Sequence, residues 1–209
     1  MISVLPCSSR AEFDAHENRF PAHPIESYPW AEKDSYRPLT TVSVAHSADA
    51  LFVRMQCRET DPRATVRAWN GCVWTDSAME FFLEPLPGRG YFNFEMNAAP
   101  ALLLHFGPPD TAARRPVEWN REEFALRSRR FVREGADWWE VAVTVPFTML
   151  SHYVPEFRAA AGTVFRANAY KCGDDCAEQH FGCLFPIDPQ MIPTPSFHRP
   201  EYFGEWKMI

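Results

Sequence analysis

The chain has 209 residues, 46% hydrophobic and 14% aromatic, enough apolar surface for a sizeable core and too much for a disordered polypeptide. Its net charge of −6 lacks the basic excess that a nucleic acid or an anionic membrane selects, so neither is expected as a partner. No run approaches the ~18 apolar residues of a membrane span, and nineteen prolines against nine glycines point to strands and irregular loops rather than long helices.

The N-terminus, MISVLPCSSRAEF, carries no basic segment followed by an apolar one, the mark of a secretory leader. The expectation is a cytoplasmic protein, or an extracellular one if the chain is a trimmed form. The six cysteines (Cys7, Cys57, Cys72, Cys172, Cys176, Cys183) are then free thiols. TTVSVAHS (40–47) and ALFVRMQCRET (50–60) read as a hairpin joined near Ala48 and Asp49. Leu51, Val53, Met55 and Cys57 alternate with Phe52, Arg54, Gln56 and Arg58, as in a sheet with one buried side.

Trp69 lies upstream, and Trp74 lies in a turn-like segment, NGCVWTDS, just before the strand SAMEFFLEP (77–85). There Met79, Phe81 and Leu83 face one side and Glu80, Phe82 and Glu84 the other. PGRG turns the chain into YFNFEMNA (91–98), with Phe92, Phe94 and Met96 inward and Asn93, Glu95 and Asn97 outward. ALLLHFG (101–107) is a further strand, and the proline-rich segment from Pro108 to Glu123 is a loop. FALRSRRFVRE and WWEVAVTVPF (138–147) form a second hairpin turning at Gly135, Ala136 and Asp137, with RSRRFVR as a wet strand face. Pro146 to Tyr153 makes one short helical turn. TVFRANAYKC (163–172) puts Arg166, Asn168 and Tyr170 on one face, and EYFGEWKM (201–208) closes the chain as a strand. Of the tryptophans, one of Trp138 and Trp139 is expected in the core, and Trp206 too. The fold class is therefore all-β: a single-domain antiparallel β-sandwich of immunoglobulin or jelly-roll type. Nothing in the sequence sets an oligomeric state.

Three strands turn a row of hydrogen-bonding residues to one side: Glu80 and Glu84; Asn93, Glu95 and Asn97; Arg166, Asn168 and Tyr170. Carboxylates, amides and a guanidinium are the mixture that holds sugar hydroxyls, while an exposed tryptophan packs on the apolar face of a pyranose. The plainer reading is that these polar residues face water, as on any half-exposed sheet.

The segments VWTDSAMEFFLEP (73–85), YFNFEMNAA (91–99), WWEVAVTVPF (138–147), FRANAYKCGD (165–174) and FHRPEYFG (197–204), in this order and spacing, resemble the family 9 carbohydrate-binding modules, and more closely the free-standing bacterial domains of that kind. The resemblance covers most of the chain. It implies a β-sandwich related to the DOMON superfamily and a non-catalytic, sugar-binding role, in which two tryptophans sandwich a terminal sugar. On that pattern Trp74 matches the first sandwiching tryptophan and Glu80 the sugar-binding glutamate. Asn93, Glu95 and Asn97 lie on the strand that supplies further polar contacts, and Asn168 and Tyr170 lie beside the site. There is one departure. Related sequences read His-aromatic-x-x-Trp-x-Pro after the KCGD segment, whereas this chain reads HFGCLFP, with Leu184 where the tryptophan is expected. Phe185 or Phe181 is then the replacement stacking surface.

Other chemistries have weaker support. Cys172, Cys176, His180 and Cys183 offer four zinc-type ligands, but the spacing lacks paired knuckles; an exported protein could instead join Cys176 to Cys183. The resemblance leaves a structural calcium open, although no dense Asp/Asn loop marks a site. Glu80 and Glu95 on adjacent strands are the residue types of the carboxyl pair in a glycoside-active enzyme, which must stand ~5–9.5 Å apart across the sugar. Met96 and His105 are the conceivable ligands of a haem held as in some DOMON relatives.

Overall fold

The computed structural model describes all residues, Met1–Ile209. In chain order the elements are β1 (Ile2–Pro6), α1 (Arg10–Ala15), β2 (His23–Pro24), β3 (Thr40–His46), β4 (Ala50–Arg58), β5 (Ala78–Glu84), β6 (Tyr91–Asn97), β7 (Leu102–Gly107), β8 (Arg115–Pro116), β9 (Arg127–Arg133), β10 (Ala136–Pro146), α2 (Phe147–Tyr153), β11 (Val164–Cys172), β12 (Phe181–Cys183) and β13 (Gly204–Met208). The strands form one continuous curled sheet, β8-β7-β6-β5-β11-β13-β1-β3-β4-β10-β9, with β12 on β11 and β2 on β3. Its two halves bury one common core, as the layers of a β-sandwich do.

The sheet is mixed, not purely antiparallel. β1 runs parallel to β13 through Ile2–Val4 and parallel to β3 through Leu5 and Pro6, so it links the halves. A parallel pair needs a long crossover, and residues 7–39, with α1 and β2, supply it. The short segment ISVLP gave no alternation from which this could be read.

The alternation along β4, β5, β6 and β10 is obeyed. Leu51, Val53 and Met55 from one layer meet Phe81, Phe92, Phe94 and Met96 from the other in a cluster that also takes Trp139 and Trp206. The second hairpin turns earlier than the sequence suggests. Glu134 and Gly135 hold φ of 52° and 73°, so they are the two residues between Arg133 and Ala136, the pair that closes the ladder. RSRRFVR is the edge strand β9.

The polar outer faces do not meet water. On the β5–β6 side, Glu80, Asn93, Glu95 and Asn97 are at most 3% exposed. The segment after β12, the loop before β5 and the stretch around β8 cover them, and Phe82, Tyr91, Tyr170, Phe197 and Phe203 join a second apolar cluster beneath that cover. α1 covers the opposite outer face, where Phe13, Phe20 and Phe52 pack together.

Candidate functional site

Register builds the site. Tyr170 stands opposite Glu80, Glu80 opposite Glu95 and Glu95 opposite Leu103, in one row across β11, β5, β6 and β7. The next row is Asn168, Phe82, Asn93 and His105. Over these rows lies a cavity of about 440 Å³, within the ~300–1,000 Å³ range of small-molecule sites. Trp74, Glu80, Asn93, Glu95 and Phe181 line it, together with Phe82, Leu103, His105, Thr111, Arg114, Cys172, Asp174 and Pro195–His198.

Trp74 sits on a single 3-10 turn, Val73–Thr75, fixed on both sides. Its carbonyl accepts from the Asp174 N–H at 3.5 Å and the Cys172 thiol at 3.7 Å. Beside it, Asp76 accepts from Thr65, Val66 N–H and Asn97 and pairs with Arg63, which pins the loop to the sheet. The indole itself is 41% exposed, at the cavity. A second aromatic surface comes from Phe181 and Phe197. Trp30 packs on both, its Nε1 donating to Ile192 O at 2.7 Å, and Tyr170 stacks on Phe197 at 4.1 Å.

The acceptors are desolvated and unevenly satisfied. Glu80 Oε1 accepts the Cys172 thiol at 3.1 Å. Glu95 Oε1 accepts Asn93 Nδ2 at 2.8 Å, while its Oε2 is buried without a partner. Burial, then the facing Glu95, pushes the Glu80 carboxyl well above the usual carboxylate range. Burial pushes Glu95 up to about 7, and burial with the adjacent Asp175 pushes Asp174 up to about 6. Burial and then Glu80 raise the Cys172 thiol, so it stays protonated and donates.

Arg114 is the cation at the other end. Its guanidinium donates to the carbonyls of Gly107, Pro108, Tyr91 and His105 and to Asn93 Oδ1, and lies 3.9 Å over the Tyr91 ring. Gly107 permits this approach, since a Cβ there would lie 3.0 Å from the Arg114 Cα. His198 stands 2.7 Å from the Tyr91 hydroxyl through Nδ1. Burial, then Arg114 and His105, pushes its imidazole down to about 4, so it is neutral at pH 7.

Four residues singled out in the sequence lie elsewhere. Asn97 ties the 66–76 loop and the Ala99 and Ala101 amides to the end of β6. Asn168 joins Phe185 and Tyr202 backbone groups, and Tyr170 lies fully buried behind Phe197 with its hydroxyl on the Phe197 carbonyl. Phe185 lies on the Gly204 backbone, where a Cβ would collide with its ring, and packs toward the main core with Leu184. Position 184 therefore does not face the cavity. Conversely, Arg114, Phe197 and His198 come from loops with no periodicity. Only the run of prolines and aromatics around FHRPEYFG marked one of those loops.

The cysteine-rich segment does not gather a ligand set. Cys172 contacts Glu80, Cys183 the Ser27 carbonyl, and His180 Nε2 the Lys171 ammonium at 2.7 Å, while Cys176 packs at Gly173. All six thiols are free, and no three His, Cys, Asp or Glu side chains converge as an ion site. Met96 is in the main core and His105 at the cavity, on opposite faces of the sheet, so they do not share one iron. A second groove of about 550 Å³ beside Trp30 meets the cavity at Phe181 and Pro195 and has no buried carboxylate in its lining.

The sequence pattern of the family described as Carbohydrate-binding family 9 matches residues 12–208. The chain belongs to that family. Family 9 is a non-catalytic carbohydrate-binding family, and this chain is a carbohydrate-binding domain. It superposes on a Bacteroides uniformis protein assigned to carbohydrate binding, with a TM-score of 0.80, 26% identity, and coverage of 100% of this chain and 98% of that one. Two structures of a family 9 module from Caldicellulosiruptor kristjanssonii, one with cellotriose and one with glucose, share its fold. Each has a TM-score of 0.61 and 12% identity; coverage is 99% and 92% for the first, 100% and 95% for the second. No curated protein matches the sequence.

Proposed function

We propose that this family 9 domain binds a small saccharide or glycan end in the cavity over β5 and β6 and does no chemistry on it. One observation carries the reading: an exposed tryptophan stands at the edge of a cavity whose floor presents desolvated, incompletely satisfied acceptors. Trp74 stacks on the apolar face of the sugar. Glu80 and Glu95 accept from its hydroxyls, and Asn93 orients Glu95 and Arg114. Phe181 and Phe197 supply the second apolar wall that Leu184 does not. The neighbours solved with glucose and cellotriose make these the first ligands to try.

A glycoside-active enzyme fits less well. Its carboxyls flank the scissile bond, and their environments drive their pKa values apart. Glu80 and Glu95 share one floor, and both are pushed upward.

Isothermal titration against glucose, cellotriose and a panel of other saccharides tests the proposal. Binding is expected, weakened about tenfold by Trp74→Ala, with no sugar product formed. No binding at millimolar sugar, or binding indifferent to Trp74→Ala, would remove the assignment.

A further inference from the structure

Five carboxylates of this protein are buried, and the molecule treats them in two ways. Asp76 pairs with Arg63 at 3.2 Å, Glu84 with Arg166 at 3.1 Å, and Glu140 with Arg129 at 3.0 Å. Glu80 and Glu95 have no cationic nitrogen within 4.0 Å. Burying a carboxylate without a counter-charge is costly, and like charges directly opposite across a ladder add to the cost. The cations whose field reaches the pair, Lys171 and Arg114, are engaged elsewhere. Lys171 is held by Ser77, the Cys172 carbonyl and His180, and stands 3.7 Å from Glu59. The terminal nitrogens of Arg114 are taken by carbonyls and by Asn93. Asp174, at the same cavity, also has no ion-pair partner and adds a third acid.

The geometry points to a ligand that brings the missing cation: a saccharide carrying a free, protonated amine, whose ammonium sits between Glu80 and Glu95 against the unpartnered Glu95 Oε2. This rests on the carbohydrate reading above and narrows it to amino sugars. An ammonium has three donors and no acceptor, which suits a floor of unsatisfied acceptors. A hydroxyl offers one donor and carries no charge. Acylation of the amine abolishes the match, because an amide is neutral and bulkier. Arg114, His105 and His198 line the same cavity, where the rest of the ring would lie. The uptake of a charged amine also favours ionised carboxyls, so protons leave the site on binding.

The test is titration of the whole chain at pH 7 with three matched sugars, glucosamine, glucose and N-acetylglucosamine, each in two buffers of different ionisation enthalpy. Glucosamine is expected to bind at least about tenfold tighter than the other two, with proton release seen only for glucosamine. Glu95→Gln should reduce the glucosamine-to-glucose ratio at least fivefold, and circular dichroism confirms that the variant is folded. Equal or weaker binding of glucosamine, or a ratio unmoved by Glu95→Gln, overturns the inference and leaves the carbohydrate reading standing. Failure of every saccharide, cellotriose included, overturns both.

Discussion

On the outer face of β4, β9 and β10, buried charge is neutralised within the protein. Glu140 accepts from Gln56 and twice from Arg129, and Arg133 bridges Gln56 to Glu17. On the outer face of β5 and β6, two opposed glutamates are left with one thiol, one amide and an empty acceptor. Both faces were written in the same alphabet of alternating polar residues. The difference is in what covers them. α1 and β9 deliver charges that complete the first face, whereas the loops over the second deliver aromatics and leave a cavity. The first arrangement neutralises its charge within the fold; the second leaves it open, at the cavity where we propose that a saccharide binds.

The largest expected effect tests the completed face. Glu140→Ala strands Arg129 and Gln56, and we expect a loss of about 3 kcal/mol, below the top of the range for fully buried pairs because the arginine is partly exposed. That is on the order of 10 °C in Tm, with saccharide affinity unchanged; a weakened affinity would break the division between the faces. Asn168→Ala should cost about 2 kcal/mol by leaving the Phe185 amide without its acceptor. Chemical denaturation checks this, and unaltered binding would place Asn168 outside the site despite its strand. Trp74→Ala is expected to do the reverse. It should remove about 1.4 kcal/mol of binding while leaving Tm within about 1 °C, since the indole donates no hydrogen bond within the protein and is half open to solvent.

The last test is electrostatic. Glu95 titrates near 7 in the folded chain against about 4.3 unfolded. Between those values the native state holds more protons, so unfolding free energy falls as pH rises through the window. Its stabilising contribution is complete below the unfolded pKa and is lost once the pH passes the folded one. Glu95→Gln removes that part of the slope, and we expect Tm, measured without ligand, to fall less between pH 5 and pH 8 than it does with Glu95 in place. An unchanged fall would mean that Glu95 is compensated in a way the geometry does not show.

Much of the fold was legible because strands with one buried side alternate strictly. Leu51 to Cys57, Met79 to Leu83 and Phe92 to Met96 announced their faces; Trp206 was expected in the core, and so was one of Trp138 and Trp139, which the structure shows to be Trp139. The parallel β1 was not legible, because five residues carry no usable period and their partners lie at residues 45–46 and 206–208. For the site, Trp74, Glu80, Asn93 and Glu95 were chosen from sequence and the structure brings them to one cavity, with Phe181. Asn97, Asn168 and Tyr170 had the right face but are taken up by backbone groups or covered by Phe197.

The sequence by itself determined the longer strands, which side of each is apolar, and the family to which the chain belongs, because hydrophobic periodicity and ordered motifs are local properties. Only the tertiary structure decided that the polar rows are buried rather than wet, that Arg114, Phe197 and His198 close over them, and that Glu80 and Glu95 lack the counter-charge every other buried carboxylate has. Those are facts about what packs against a face. They depend on loops brought from distant parts of the chain, and no spacing within a strand records them.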